Sequence, residues 1–368
     1  MKAGRSISEI AQEIERQAKA KKDYIADTRR LKLEVKNSGS LMLEGVNGGM
    51  PLRPTAHAQL SDSLKIPKPY YDRMLVEEPD LLAANVNRWL ERQPAKKLIR
   101  TLDDHVRAIL SDSYRPLDNL DLAEAALPEL EARGIQIESS EITEKRFYLK
   151  GITEAISSSV GPLKVPVQTM IRPGHHELLK DDIMWAGIMI SNSEIGAGSL
   201  RIEALDFRLV CWNGLISSTA IRKAHLGRSS GLDAIEDARE YFRTETRQAD
   251  DKAFFLKTRD AIGAMFDATK FESRIGKYRE AQAIEIKTEP EEVVELVSKR
   301  FGFSEGERGS ILKNYIKSDM STVWGVANAI TRAAQDVESY DRSTEMERIG
   351  GEVIELPRSA WKQVQTVA

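Results

Sequence analysis

The sequence predicts an α+β fold, an antiparallel sheet with packed helices followed by a mainly helical C-terminal region. Strand-like alternation and hairpin turns recur from about residue 31 to 230. Helical periodicity dominates after Gly231. Of the 368 residues, 41% are hydrophobic and 30% charged, a balance that supports a core and argues against long disorder. The expected organisation is an N-terminal helical arm over 1–30, an antiparallel body over 31–230, a helical region over 231–340 and a tail over 341–368.

Ser6 to Glu9, "SISE", reads as a capping box, and Ile7, Ile10 and Ile14 follow at helical spacing. Residues 1–36 hold ten Lys/Arg against six Asp/Glu, which reads first as a solvated helix face. "LKLEVKNSGSLMLEG" alternates around Asn-Ser-Gly and predicts a hairpin. Pro67, Pro69 and Pro79 then punctuate short helices. Their layout is loosely helix-turn-helix, but "PKPYYDRMLVEE" offers only Lys68 and Arg73 before its acids, so a packing role is expected.

"KLIRTLDDHVRAILSDSYRPLDN" predicts two strands around Asp103-Asp104, then a helix capped by Asp118 or Asn119 and closed by Gly134. "IQIESSEITEKRFYLKGI" predicts two further strands, and "KVPVQTMIRP" and "MWAGIMISNS" two more. In Ser199–Ile216 the apolar parity changes at Ala204-Leu205, where a β-bulge would keep both halves facing one core. Cys211 continues the second parity and reads as a small buried core residue. Asn213-Gly214 predicts a tight turn with positive φ. Beyond Gly231, Phe255, Ile262 and Phe266 share a helical stripe. "EPEEVVELVSKRFGFSEGERGSILKNYI" reads as helix, turn, helix. Val323, Ala327, Ile330, Ala334 and Val337 form a heptad-like seam.

A formal net charge of −3 excludes a globally basic nucleic-acid binder and leaves room for a local basic patch. One cysteine cannot form an internal disulfide, and no Cys/His spacing suggests structural zinc. No signal peptide or membrane helix is expected, so the expected location is the cytoplasm. No P-loop, dinucleotide fingerprint or G-x-S-x-G motif occurs, so no cofactor is expected.

Four segments carry a family resemblance: "HAQLSDSLKIPKPYYDRML", "LSDSYRPLDN", "NSEIGAGSLRIEALDFRLVCWNGLI" and "TVWGVANAITRAAQDV". In this order they resemble the phage/plasmid-like protein family, domain of unknown function 932, over about residues 50–340. The likeness is most specific at the strand-and-turn motif, which in the family typically reads Arg-x-x-Cys-Thr/x-Asn-Gly. Arg208, Cys211, Asn213 and Gly214 match it, while Trp212 stands where a small residue is common. The resemblance implies a mobile-element origin.

Residues 145–230 hold eleven Lys/Arg against seven Asp/Glu, with Phe147, Tyr148, Trp185 and Trp212 interleaved. Backbone-tracking cations with stacking rings are what single-strand binding requires. The expected nucleic-acid contacts are therefore Arg222, Lys223 and Arg228 with Trp212, and Asn213 and Gly214 at the strand end. The leading expectation is a non-enzymatic protein that binds single-stranded DNA, with annealing by a homo-oligomer as an extension. Two alternatives are an interaction or anti-defence protein acting on a host factor, and a metal-dependent nucleic-acid enzyme using Asp103, Asp104 and Asp112. Carboxylates at turns can hold a divalent cation, but Asp-Asp is also an ordinary turn dipeptide.

Overall fold

A computed structural model of the chain describes residues 1–36, 40–114, 116–172, 174–223, 244–357 and 359–361. The fold is α+β, with antiparallel sheets and a mainly helical C-terminal region.

The chain opens with α1 (Ile7–Ala20), whose Ser6–Glu9 capping box is formed in both directions. An N-terminal lobe follows. β1 (Lys22–Asp27) leads through a short turn of helix, Thr28–Arg30, into β2 (Lys32–Val35), β3 (Leu41–Glu44) and β4 (Met50–Pro51). Helices α2 (Pro54–Ser63), α3 (Lys68–Glu77) and α4 (Pro79–Arg92) come next. β5 (Lys96–Leu102) and β6 (His105–Ser111) then complete a three-stranded sheet of order β1-β5-β6. The Asn-Ser-Gly turn itself lies outside the described residues, but β2 and β3 pair antiparallel on either side of it, as its hairpin pattern predicts. Asp103 and Asp104 both adopt left-handed backbone, the conformation of a two-residue type I′ hairpin. Leu33, Leu43, Leu60, Tyr71, Leu82, Val86 and Ile99 meet in the lobe's own core.

The second body is built on a five-stranded antiparallel sheet of order β11-β10-β9-β8-β7. Its strands are β7 (Gln136–Ile142), β8 (Phe147–Arg172), β9 (His175–Asn192), β10 (Leu200–Arg208) and β11 (Asn213–Lys223), and α5 (Asn119–Ala132) precedes them. "KVPVQTMIRP" is not a strand of its own but the distal end of the strand that begins at "FYLKGI", β8, whereas "MWAGIMISNS" forms a separate strand as expected, within β9. β8 and β9 form one long hairpin. The 26-residue β8 absorbs Gly161 and Pro162 at register shifts, where a bulged strand tolerates both. The C-terminal helices are α6 (Thr244–Met265), α7 (Ala268–Ala283), α8 (Pro290–Phe301), α9 (Glu305–Ser318), α10 (Val323–Ala333) and α11 (Tyr340–Ile354). α10 is buried almost all round, so Val323, Ala327 and Ile330 are one side of an enclosed helix rather than an exposed seam.

The parity change in β10 has a different cause from the one expected. β10 pairs with β9 in unbroken register, and the slip lies in β11, opposite Ala204. Both faces of the sheet are covered. Leu200, Ile202 and Ala204 pack with α1, α5 and α6 on one face. Leu205 and Phe207 belong to a separate cluster on the other. A strand buried on both faces has no polar side, so its apolar pattern need not keep one parity.

The two bodies join through Glu194, in the loop after β9. Its Oε2 accepts from Arg107 Nη1 at 3.0 Å. Its Oε1 accepts from the Asn119 amide at 2.7 Å, at the first turn of α5. Glu194 thus satisfies the helix start that Asp118 or Asn119 was expected to cap. Asp118 makes no side-chain capping bond and instead binds Arg100 and Lys21. Burial would raise the Asp118 carboxyl, but Arg100 and Lys21 outweigh it and hold it below the usual carboxylate range. Replacing Glu194 by Ala should cost about 3–5 kcal/mol, because it leaves the buried Arg107 charge unpaired. A lowered urea midpoint at unchanged slope is the expected result.

His57 supplies a pH signature within the N-terminal lobe. Its Nδ1 lies 2.8 Å from the Tyr71 hydroxyl, and burial, with Lys68 adding to it, lowers its pKa to about 4. The unfolded chain therefore binds this proton before the folded one does. The contribution is full above the ordinary histidine value and is lost as pH falls from there to about 4. Denaturant melts should show a pH-dependent loss of up to about 3 kcal/mol that His57→Phe removes.

Candidate nucleic-acid interface

The motif residues of the central strands meet inside the protein. Arg208 Nε and Nη2 donate to the two carboxylate oxygens of Asp182 at 2.7 and 2.8 Å. Trp324 Nε1 of α10 donates to the same carboxylate at 3.0 Å. Two strand positions along, Asp206 accepts both arms of the Arg274 guanidinium at 2.8 Å and the Tyr278 hydroxyl at 2.5 Å. On the opposite face Glu203 takes the Arg348 guanidinium at 2.9 and 2.7 Å. Lys150 pairs with Glu347, and both side chains are 0% exposed. The expected outward row of Arg201, Glu203, Asp206 and Arg208 is therefore an interior one, with Arg201 partly exposed.

Four of the cations of the expected central basic groove are engaged inside the protein or in pairs. Lys150 and Arg208 are spent on buried carboxylates. Arg146 donates to the Ala197 and Ser199 carbonyls and the Ser191 hydroxyl. Lys164 is paired with Asp319.

The expected contact residues do not form one site. Asn213 is fully buried and donates from Nδ2 to the Thr331 hydroxyl of α10, so it cannot meet a phosphate. Gly214 is buried too, and its φ is not positive. A Cβ there would lie 2.5 Å from Leu205 Cδ1, so the glycine serves close packing. The turn is Leu209–Trp212, immediately before the expected Asn213-Gly214 pair, and its left-handed residue is Trp212 at φ 52°. The Trp212 ring is half-buried and stands edge-on to Phe207 at 4.8 Å. Arg222 and Lys223 are described only as positions at the far end of β11, opposite Arg201 and Leu200. Ten residues of strand separate Trp212 from Arg222, roughly 30 Å, so the ring and those cations cannot share one nucleotide. Arg228 lies outside the described residues.

Cys211 falls in the turn and is partly exposed rather than buried. Its Sγ is 3.1 Å from Arg208 Nη1. Native protein should therefore react with a disulfide reagent on the minutes scale without denaturant. A thiol that labels only after unfolding would contradict that exposure.

The proposed carboxylate site is also not assembled. Asp103 and Asp104 sit at one end of β6 and Asp112 beyond the other, roughly 23 Å along the strand. Asp103 already faces Arg16 at 2.7 Å and Arg53 at 3.9 Å. Among the described residues no group of three or more His, Cys, Asp or Glu could hold a metal ion.

A basic and aromatic surface instead lies on the N-terminal lobe. α4 buries Leu82, Val86 and Leu90 and turns Leu81, Arg88 and Arg92 outward. Trp89, 39% exposed, flanks them. The end of α4 is tied to the Thr28–Arg30 turn, where Thr28 Oγ1 donates to the Gln93 carbonyl at 3.2 Å and accepts from the Ala95 amide at 3.0 Å. This brings Arg30 beside the α4 terminus, with Lys97 of β5 and Lys65 of the turn after α2 near it. Arg30, Lys65, Arg88, Arg92 and Lys97 form no ion pair among the described residues. The nearby carboxylates are Asp27, held by Arg29, and the exposed Asp62 and Glu91. Sequence reading missed this face because its cations come from four separated segments. The spacing of Arg88, Trp89 and Arg92 against the buried Leu82, Val86 and Leu90 was its only local signal.

No family model, curated protein or solved structure matches the chain. The family resemblance of the four motifs rests on those residues alone. No helix among the described residues is long and apolar enough to cross a membrane.

Proposed function

We propose that the protein is a non-enzymatic, mobile-element component that binds single-stranded DNA through the outer face of α4 and the turns at its C-terminal end. The observation that carries the reading is the group of cations without an ion pair among the described residues, Arg30, Lys65, Arg88, Arg92 and Lys97, beside the half-exposed Trp89. Phosphates gain from each cation by releasing condensed counterions, and an indole face takes any unpaired base. A duplex hides its base faces, so an exposed indole in the stripe favours a single strand. Annealing would need two such faces brought together by an oligomer.

Fluorescence anisotropy with labelled oligonucleotides across a salt series tests this. Arg88→Ala with Arg92→Ala should weaken binding to all sequences alike and reduce the log–log salt slope by about 1.4, at ~0.7 for each phosphate no longer neutralised. Trp89→Ala should cost about 1–3 kcal/mol and leave the slope unchanged. Absence of binding by the wild type at low salt would reject the reading. If Arg222→Ala with Lys223→Ala matters instead, the interface belongs to the sheet edge.

A second reading, an interaction protein acting on a host factor, draws on the distal β8–β9 hairpin. Val165, Met170 and Leu178 there are 68%, 49% and 59% exposed. Apolar side chains displayed on a projecting hairpin favour protein contact.

A further inference from the structure

Beside the basic face, between the C-terminal ends of α2 and α4, lies a recess of about 170 Å³. Leu60, Leu64, Leu90 and Ile109, all buried, form its walls. Its mouth is at the exposed Gln93, Pro94 and Ala95. Two polar side chains border it without a hydrogen bond among the described residues, the Gln93 amide and the Lys97 ammonium. Each stretch of the rim also carries a cation with no ion pair among the described residues. Arg30 precedes Leu31 of the lining, Lys65 follows Leu64, and Arg92 precedes Gln93.

We infer that this recess receives one pyrimidine base of the bound strand. The inference rests on the single-strand reading and adds a base preference to it. Size supports the assignment. An apolar protein cavity of ~150 Å³ holds one benzene ring, so a recess of about 170 Å³ suits a single six-membered ring better than the fused rings of a purine. Chemistry supports it as well. The leucine and isoleucine walls suit the ring faces. The Gln93 amide offers a donor and an acceptor side by side, which a pyrimidine's hydrogen-bonding edge can use together. Cations on both sides of the mouth suit the phosphates flanking an unstacked nucleotide. Trp89 lies one helical turn before Gln93, where the neighbouring base would stack. A buried apolar ligand without charge would gain nothing from Arg30, Lys65 or Arg92.

The test is anisotropy at one fixed salt concentration with oligothymidylate and oligoadenylate of equal length, using the full chain. The expected result is about tenfold tighter binding of oligothymidylate. Gln93→Ala, at the exposed mouth, should remove most of that preference and leave oligoadenylate affinity within about twofold. Leu64→Phe should do the same by filling the recess, with thermal melts checking that the variant folds. Equal wild-type affinities for the two strands would overturn the base pocket and leave the single-strand reading standing. A preference that survives both variants would also overturn it, because it would then arise elsewhere. No binding to either strand would overturn both.

Discussion

Around β10 the central sheet is covered on both faces, and that constraint governs what the strand there carries. A charged side chain on such a strand has no water to face, and an unpaired charge in an apolar interior costs several kcal/mol. Asp182, Glu203, Asp206 and Arg208 are each held by a bidentate arginine–carboxylate pair. Lys150 meets Glu347 through one carboxylate oxygen, both side chains fully buried. Each pair also links the sheet to a helix or to a neighbouring strand. Arg274 belongs to α7, Trp324 to α10, and Glu347 and Arg348 to α11. The position of the C-terminal helices is thus specified by charge as well as by packing. The helices must also come close. A Cβ on Gly351 of α11 would sit 2.1 Å from the Ile216 carbonyl of β11.

The same constraint divides what the sequence reveals from what it conceals. Local signals were legible where they are local in cause. The Ser6 capping box, the Asp103-Asp104 hairpin, the α8–turn–α9 unit and the αL glycine after α5 are all written in a few neighbouring residues. The middle of the chain was harder to read. Alternation identifies a half-buried strand because one side is wet, and β10 has no wet side. Its charged positions therefore looked like a surface and are an interior. The expected Cys211 burial failed for a related reason, since the strand ends at Arg208 and the parity ends with it. Pairings such as Glu194 with the Asn119 amide, 75 residues apart, leave no trace in spacing.

The candidate interface was hidden by the opposite circumstance. A basic run in one segment attracts attention, yet in residues 145–230 Lys150 and Arg208 are spent on buried carboxylates and Arg146 on carbonyls and a hydroxyl. The cations at the end of α4 are scattered along the chain, and the fold gathers them there. Net charge is no guide to such a feature. A chain at −3 overall can still present a positive face when its acids lie elsewhere, as the eleven acids between 101 and 144 do.

The long-range ion pairs also set an order of events during synthesis. Glu203 is made 145 residues before Arg348, and Lys150 is made 197 residues before Glu347. At about 5–20 residues per second, Glu203 waits roughly 7–30 s for its partner to be translated. Through that interval the β10 carboxylates can keep their charge only by staying hydrated, so the sheet cannot yet close on both faces. The N-terminal lobe, whose core draws on residues 24 to 109, is under no such delay and can finish first. Nascent chains of this protein should therefore pass through a stage in which a folded lobe leads an open, wet sheet, a natural client for ribosome-associated chaperones.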